Sequence, residues 1–391
     1  MKIGYCGNVH PGRTLEEVKQ NLVKYSLDVK SKFSPSEPLG IGLWLSATTA
    51  NELDNPETCL RFRDWLQEHE LLPYTLNGFP YGDFHQEVVK HDVYLPTWAE
   101  TERLQYTNQL ANILDVLLPA GHNGTISTLP LGWPLPPETP SPLLADFFKD
   151  CAFNIKKCAE HLDRIAQVAG RNLFICIEPE PGCVLDTCED VIQFFEDFLF
   201  NENQAKSEII RSHFGVCHDI CHSAVMFETQ TKAIEQYCNA NIRVGKVQVS
   251  SAVEVNFDES TATQKQEMIE QLTRFAEPKY LHQTVIRTDT ETTFFEDLAD
   301  ALHAAGTDPQ GCWRVHFHVP IFTETVDQIG TTQFDIANCL DSIQSFCPEE
   351  PHFEVETYAW NVLPAEMQSP TLAEGIAQEL MWLDELIHSR S

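Results

Sequence analysis

Residues 173–222 narrow the possible folds of this chain more than any other stretch. Leu173-Phe-Ile-Cys-Ile177 is a short apolar run that stops at Glu178-Pro179-Glu180-Pro181-Gly182. Phe214-Gly-Val-Cys217 is a second, and it stops at His218-Asp219-Ile-Cys-His222. A run this short, with carboxylates or imidazoles at its C-terminal end, reads as a parallel strand buried on both faces. Between the two runs, residues 188–210 place Val191, Ile192, Phe194, Phe195 and Phe198 at helical spacing. Strand, helix, strand is the repeating unit of parallel α/β folds, in which ligands sit beyond the carboxyl ends of the strands. Glu178, Asp219 and His222 are expected there.

The same alternation runs through the chain. Residues 2–9 read as a first strand, followed by Thr14 as a helix N-cap with Glu16 and Glu17 in the first turn. A second strand spans 39–45, a helix 51–70 and a third strand 72–76. The third strand runs into a long loop that carries Asp83 and His85 and ends at Trp98; long loops in compact domains are often functional. A helix over 99–118 and a fourth strand over 125–129 come next. Five prolines between Leu131 and Pro142 exclude regular structure there, and a long helix over 143–169 leads into the fifth strand. The sixth strand ends at Asp219, and the seventh, 242–250, carries Lys246, Gln248 and Ser250 on one face. Three apolar runs remain, 280–287, 312–321 and 353–358, and an eight-stranded barrel needs one of them. The run 353–358 is assigned as the eighth strand and the other two as an insertion after strand seven, although 312–321 is equally strand-like. A final helix over 372–387 is expected on the outside. With no linker, repeat or low-complexity tract, the expectation is an α/β protein, a (β/α)8 barrel with an insertion after strand seven, in one domain over 1–391.

Composition bounds the function. Hydrophobic residues make up 42% of the 391, enough for a full core. The net charge of −32 opposes nucleic acid as a partner, because phosphate binding needs clustered Lys and Arg, and it opposes anionic membrane surfaces. No apolar run approaches the roughly 18 residues of a membrane span, and no signal-peptide pattern precedes the first strand. The thirteen Cys are scattered, with no C-x-x-C pair, and read as reduced thiols of a cytoplasmic protein.

Glu178, Asp219 and Glu356 are carboxylates at the ends of buried strands, where an ionised group is costly unless paired or bound to metal. Carboxylates and imidazoles converging on one barrel mouth make a divalent metal site, with Zn, Mn or Mg as candidate ions. His218, His222, His316 and His318 are available as nitrogen ligands. Val315-His316-Phe-His318-Val319 places two imidazoles on one face of a strand that Pro320 stops. If the insertion folds back over the mouth, His318 reaches a metal held by Glu178 and Asp219. Glu180 is expected to face the loop, and Glu354 to lie deeper in its strand. His10, His85, His222 and Lys246 are candidate substrate-binding groups on the same rim. Lys90 and Arg103 are read as solvated, and Cys217 and Cys221 lack a basic group to activate them.

Ile177-Glu178-Pro179, His218-Asp219-x-x-His222 and Val355-Glu356 together resemble the xylose isomerase-like TIM-barrel superfamily of sugar isomerases, ketose 3-epimerases, inosose dehydratases and abasic-site nucleases. Asn77-Gly-Phe-Pro-Tyr-Gly82, Val93-Tyr94 with Trp98, Ser127-Thr-Leu-Pro-Leu-Gly132, His316-Phe-His-Val-Pro320 and Glu356-Thr-Tyr-Ala-Trp360 resemble one branch of it, the metabolite traffic protein EboE family. The superfamily resemblance implies a metal held by Glu178, Asp219, a strand-seven His and Glu356. Gln248 stands where that His is implied. Either its carbonyl oxygen binds, or His316 or His318 replaces it, or the metal site has decayed.

The expected activity is a metal-dependent isomerase or epimerase acting on a small polyhydroxylated or carbonyl metabolite. In it Glu178 and Glu356 exchange protons, and Glu178, Asp219, Gln248, His318 and Glu356 are the metal ligands. The alternative is a non-catalytic carrier of a secondary-metabolite precursor, which is the role the branch resemblance implies. A nuclease would share the strand ends, and the net charge opposes it.

Overall fold

The computed structural model describes residues 3–83, 85–86, 88–201, 203–258, 260–306 and 308–390. Eight parallel strands close a barrel: β1 (Ile3–Cys6), β2 (Leu39–Trp44), β3 (Leu71–Asn77), β4 (Gly124–Thr128), β5 (Leu173–Ile177), β6 (Phe214–Asp219), β7 (Arg243–Val249) and β14 (His352–Val355). Between β7 and β14 come β8 (Val253–Asn256), β9 (Thr284–Arg287), β10 (Thr292–Phe295), β11 (Cys312–Val315), β12 (Thr325–Val326) and β13 (Ile329–Thr331). These six form a separate antiparallel sheet in the order β10-β9-β11-β8-β13-β12. The barrel is therefore interrupted by an inserted sheet after its seventh strand. Register decides which late run closes it. Phe353 lies opposite both Ile3 of β1 and Val247 of β7, whereas Trp313 lies opposite Val255 and Ile286 of the inserted sheet.

Several local expectations need correction. The first strand stops at Cys6, and residues 7–9 form a 3-10 turn. Lys2, expected to begin that strand, lies outside the described residues. The helix expected over 51–70 is two, Ala47–Leu53 and Pro56–Glu68. The Asn55 side chain caps the second by accepting from the Thr58 N–H, and Pro56 occupies the first turn, where no N–H is needed. Thr14 does cap its helix, in a reciprocal capping box with Glu17.

Arg103, expected in solvent, is fully buried. Its guanidinium donates to the carbonyl oxygens of Gly78, Phe79 and Pro96, so it satisfies backbone acceptors in the turn after β3. The final helix, Leu372–His388, packs outside the barrel against Leu27–Phe33 and β1. Among the described residues no helix is long and apolar enough to cross a membrane.

The barrel interior carries a buried ion pair among polar side chains of β3, β4, β7 and β14. Lys246 Nζ lies 2.6 Å from Glu354 Oε2, and both side chains are fully buried. The ammonium also donates to Asn77 Oδ1 at 2.7 Å. Glu354 fits only because its neighbour on β2 has no side chain: a Cβ on Gly42 would fall 1.3 Å from Glu354 Oε1.

Candidate functional site

The ends of β5, β6 and β14 bring three carboxylates together. Glu178 follows β5 directly, and its N–H donates to Thr128 O of the neighbouring strand. Glu356 follows β14, with its N–H donating to Val249 O. Asp219 ends β6 and caps the short helix Ile220–Val225, which fixes one oxygen: Oδ1 accepts from the His222 N–H at 2.9 Å and the Ser250 hydroxyl at 2.8 Å. Oδ2 is buried and has no hydrogen-bond partner. Glu178, Asp219 and Glu356 each offer an oxygen within 4.8 Å of the others.

The charges in this cluster bear on one another. Burial first, then the charges of Glu356 and Asp219, hold the Glu178 carboxyl well above the usual carboxylate range. Burial and the Asp219 charge push Glu356 up to about 7. Burial also acts to raise Asp219, but His222, His318 and its two hydrogen bonds outweigh it, and its pKa falls below the usual value. Asn8 Nδ2 at 3.0 Å and the Cys6 thiol at 3.2 Å donate to Glu356 Oε1.

Gln248, on β7, donates through Nε2 to Asn77 Oδ1 at 3.2 Å, and its Oε1 is buried with no partner. β11 ends at Val315, so His316 and His318 lie just past the strand in which they were expected. They still face the barrel mouth. His318 Nδ1 donates to Glu356 O at 2.8 Å, and its partnerless Nε2 lies 3.9 Å from Asp219 Oδ2. His222 and His316 stand edge to face with ring centroids 4.5 Å apart. Above these groups opens a pocket lined by Glu178, Glu356, His222, His318 and, on its wall, Tyr94 and Tyr280. Asp219 and Gln248, 2% and 1% exposed, are not part of its surface.

Other candidate residues fall elsewhere. Lys246 does not reach the pocket, because Glu354 holds it in the barrel interior. His10 is stacked on Tyr25 and bonded to the Tyr5 hydroxyl, and His85 is bonded to Asn8 O; neither lines the pocket. His218 is bonded to Gln230 Oε1 at 2.6 Å.

Glu180, expected to face the loop, is buried and lines the pocket, where it accepts from the Tyr94 hydroxyl at 2.7 Å and Gln283 Nε2 at 3.0 Å. Lys90, read as solvated, lines the pocket and pairs with Asp297 at 2.9 Å. Asn8, Tyr94 and Gln283 were given no site role from sequence. Only Tyr94 carried a signal, an aromatic residue inside a long loop.

The donor set fits a divalent cation. Three buried carboxylates converge and repel one another, and three inward atoms, Asp219 Oδ2, Gln248 Oε1 and His318 Nε2, have no hydrogen-bond partner among the described residues.

No protein-family model matches the chain, and no curated protein does. Among solved structures it is similar to a D-tagatose 3-epimerase-like protein at 11% identity, covering 99% of this chain and 97% of that one with a TM-score of 0.52. It is also similar to a xylose isomerase-like TIM barrel protein from Mycobacterium smegmatis in complex with magnesium, at 11% identity, with 99% and 97% covered and a TM-score of 0.50. The likeness is one of fold. It is the fold of the xylose isomerase-like TIM barrel, and it does not by itself show the metabolite traffic branch.

Proposed function

We propose that the chain is a metal-dependent isomerase or epimerase acting on a small polyhydroxylated or carbonyl metabolite. The observation that carries this reading is the buried convergence of Glu178, Asp219 and Glu356 under an open pocket, with Asp219 Oδ2 left partnerless. Glu178, Asp219 and Glu356 would hold the cation, with Gln248 Oε1 and His318 Nε2 as the further inward donors. A bound divalent cation supplies a Lewis acid that polarises a carbonyl oxygen.

The proton chemistry belongs to the chain itself. Glu178 and Glu356 line the pocket floor, so both reach a bound substrate. Without a cation, burial and the Asp219 charge raise Glu356 to about 7. Glu178 would accept the proton from a carbon next to the carbonyl, and Glu356 would deliver one. His222 lines the same floor and is placed to bind a substrate hydroxyl. The inserted sheet leads into His316 and His318, so barrel and insertion act as one unit in this reading. A carrier of metabolites draws no support from this site, since delivery needs no carboxylate pair raised toward neutral pKa.

The test combines metal analysis with solvent exchange. Protein purified without chelator is analysed for divalent metal, then incubated with a panel of ketoses in deuterated water and followed by NMR. Bound metal and enzyme-dependent deuterium at the carbon next to the carbonyl are expected, and Glu178→Gln should lower exchange by about 10²–10⁴-fold. Protein that holds no divalent metal and rebinds none would sink the proposal.

A further inference from the structure

Away from the mouth, two cysteines meet at the base of the barrel. Cys238 lies in the last turn of the helix Gln230–Asn239, shortly before β7 begins at Arg243. Cys347 directly follows the helix Phe334–Phe346, shortly before β14 begins at His352. β7 and β14 are neighbours in the barrel, in parallel register. A helix that returns the chain to the start of a parallel strand ends at the N-terminal face of the barrel. Two such helices serving neighbouring strands therefore end side by side. These two pack directly on each other, with the Thr231 and Ser342 hydroxyls 2.9 Å apart. At their C-terminal ends Cys238 Sγ lies 3.6 Å from Cys347 Sγ.

All the cysteines are free thiols, and all are buried except Cys238, Cys312 and Cys347. A reagent from solvent therefore has access to both members of this pair. Cys347 also lines an opening at the surface with Leu340, Ile343 and Ile387. A disulfide holds its sulfurs about 2.05 Å apart, so the two must close by roughly 1.5 Å, within the reach of rotation about the two Cα–Cβ bonds. A hydrogen bond between two thiols favours a thiolate on one of them, and here that one is Cys238. Its bond with Cys347 outweighs burial and holds the Cys238 thiol below the usual range, while the same bond and burial push Cys347 up.

We infer that Cys238 and Cys347 are a reversible disulfide site, closed by a low-molecular-weight disulfide of the glutathione type, that clasps the inserted sheet at the base of the barrel. The chain between them includes β7 and every strand of the insertion. The reaction is thiol–disulfide exchange in two steps. The Cys238 thiolate attacks one sulfur of the small disulfide, that S–S bond breaks, and one small thiolate leaves. Cys347, its proton given to solvent, then attacks the Cys238 sulfur of the mixed disulfide and expels the second small thiolate. Two protein thiols are oxidised to one disulfide, one small disulfide is reduced, and the two released thiolates take up the two protons. Closing so long a loop removes freedom from the unfolded chain, so the bridged form is the more stable. Both sulfurs sit at the opposite end of the barrel from Glu178, Asp219 and Glu356, so the bridge does not depend on the metal chemistry proposed there.

To test this, the full chain is incubated with glutathione disulfide, the remaining thiols are blocked, and an unreduced digest is read by mass spectrometry. A pair of peptides joined through Cys238 and Cys347, lighter by two hydrogens than its separate parts, is expected. The bridged protein should melt about 2–6 °C above the reduced form, and dithiothreitol should remove both the link and the shift. Cys347→Ser should stop at a glutathione adduct on Cys238, and Cys238→Ser should form no bridge and show no shift in Tm. Wild-type protein in which Cys238 and Cys347 stay free, or carry separate glutathione adducts, overturns the disulfide site. A bridge that leaves Tm unchanged overturns the clasp. The wild-type measurements decide both points even where a variant fails to fold.

Discussion

At the residue scale, two kinds of buried charge share this barrel and have opposite consequences. Glu178 and Glu356, at two of the strand ends, are raised in pKa, as suits groups that await a ligand. Lys246 and Glu354 answer each other at 2.6 Å with no exposure. Burial acts to lower the pKa of the Lys246 ammonium, but Glu354 more than reverses it, so the lysine stays charged. Lys246→Met would leave the Glu354 carboxylate buried and unpaired, and take a donor from Asn77. Such a break is expected to cost about 3–5 kcal/mol, against about 0–1 for an exposed pair. Urea unfolding of Lys246→Met and of Lys246→Met with Glu354→Gln measures it, and the second change should recover part of the loss. A single-variant loss within the range of a surface pair would show that Lys246 is not structural. From sequence, Lys246 was expected to meet substrate. Its place on the inward face of β7 was legible, but its partner, on β14, is 108 positions away in the chain and depends on barrel closure.

Among the elements, Glu379 shows how the last helix is tied to the site. It sits on Leu372–His388 and is 1% exposed. Its Oε1 accepts from the Thr357 hydroxyl at 2.6 Å and the Ile321 N–H at 3.1 Å, and its Oε2 from Trp360 Nε1 at 3.2 Å. One carboxyl thus fastens the chain just after His318 and just after Glu356 to an outer helix. Burial outweighs those three bonds and pushes its pKa up to about 7 from 4.5. The folded state therefore holds this proton more tightly than the unfolded chain. That stabilisation is complete below about pH 4.5 and is lost as pH rises through about 7. Glu379→Gln, the shape of the protonated acid, should flatten the fall in unfolding free energy between about pH 5 and pH 8, removing up to about 3 kcal/mol of it. An unchanged pH slope in urea unfolding would contradict the assignment.

Elements were also where the sequence was most and least readable. Strand ends at Glu178, Asp219 and Glu356 showed because each apolar run breaks at a charged group. The helix break at Asn55-Pro56 had a local signal that the apolar stripe of Leu60, Phe62 and Trp65 masked. β8 and β13 are too short to show any period and form by pairing, β8 with β11 and β13, and β13 with β8 and β12. Glu180 looked like a loop residue because its partners, Tyr94 and Gln283, come from a different loop and from the insertion.

For the whole molecule, the carboxylate centre links metal, proton and fold. Without a cation, Glu178 is held well above its usual range and Glu356 at about 7, so folding keeps protons that the unfolded chain has lost. The stability this gives the stripped protein is complete below about pH 4.5 and is lost as pH rises through the folded pKa of Glu356, about 7. A bound cation requires the carboxylates ionised, so loading expels those protons and strengthens as pH rises. His318, lowered to about 4, and His316, lower still than the usual imidazole, are already neutral there and release none. The two protein forms must therefore diverge with pH. Each proton displaced adds about 1.4 kcal/mol per pH unit to the difference, and saturation at a thousandfold excess over Kd adds about 4 kcal/mol in all. Thermal unfolding with manganese or with chelator, at about pH 5.5 and about pH 8, reads this directly, and the gap in Tm should be wider at the higher pH. A gap that stays constant or narrows would mean that the cation binds without displacing protons from Glu178 and Glu356, and the carboxylate centre would then not be where the metal sits.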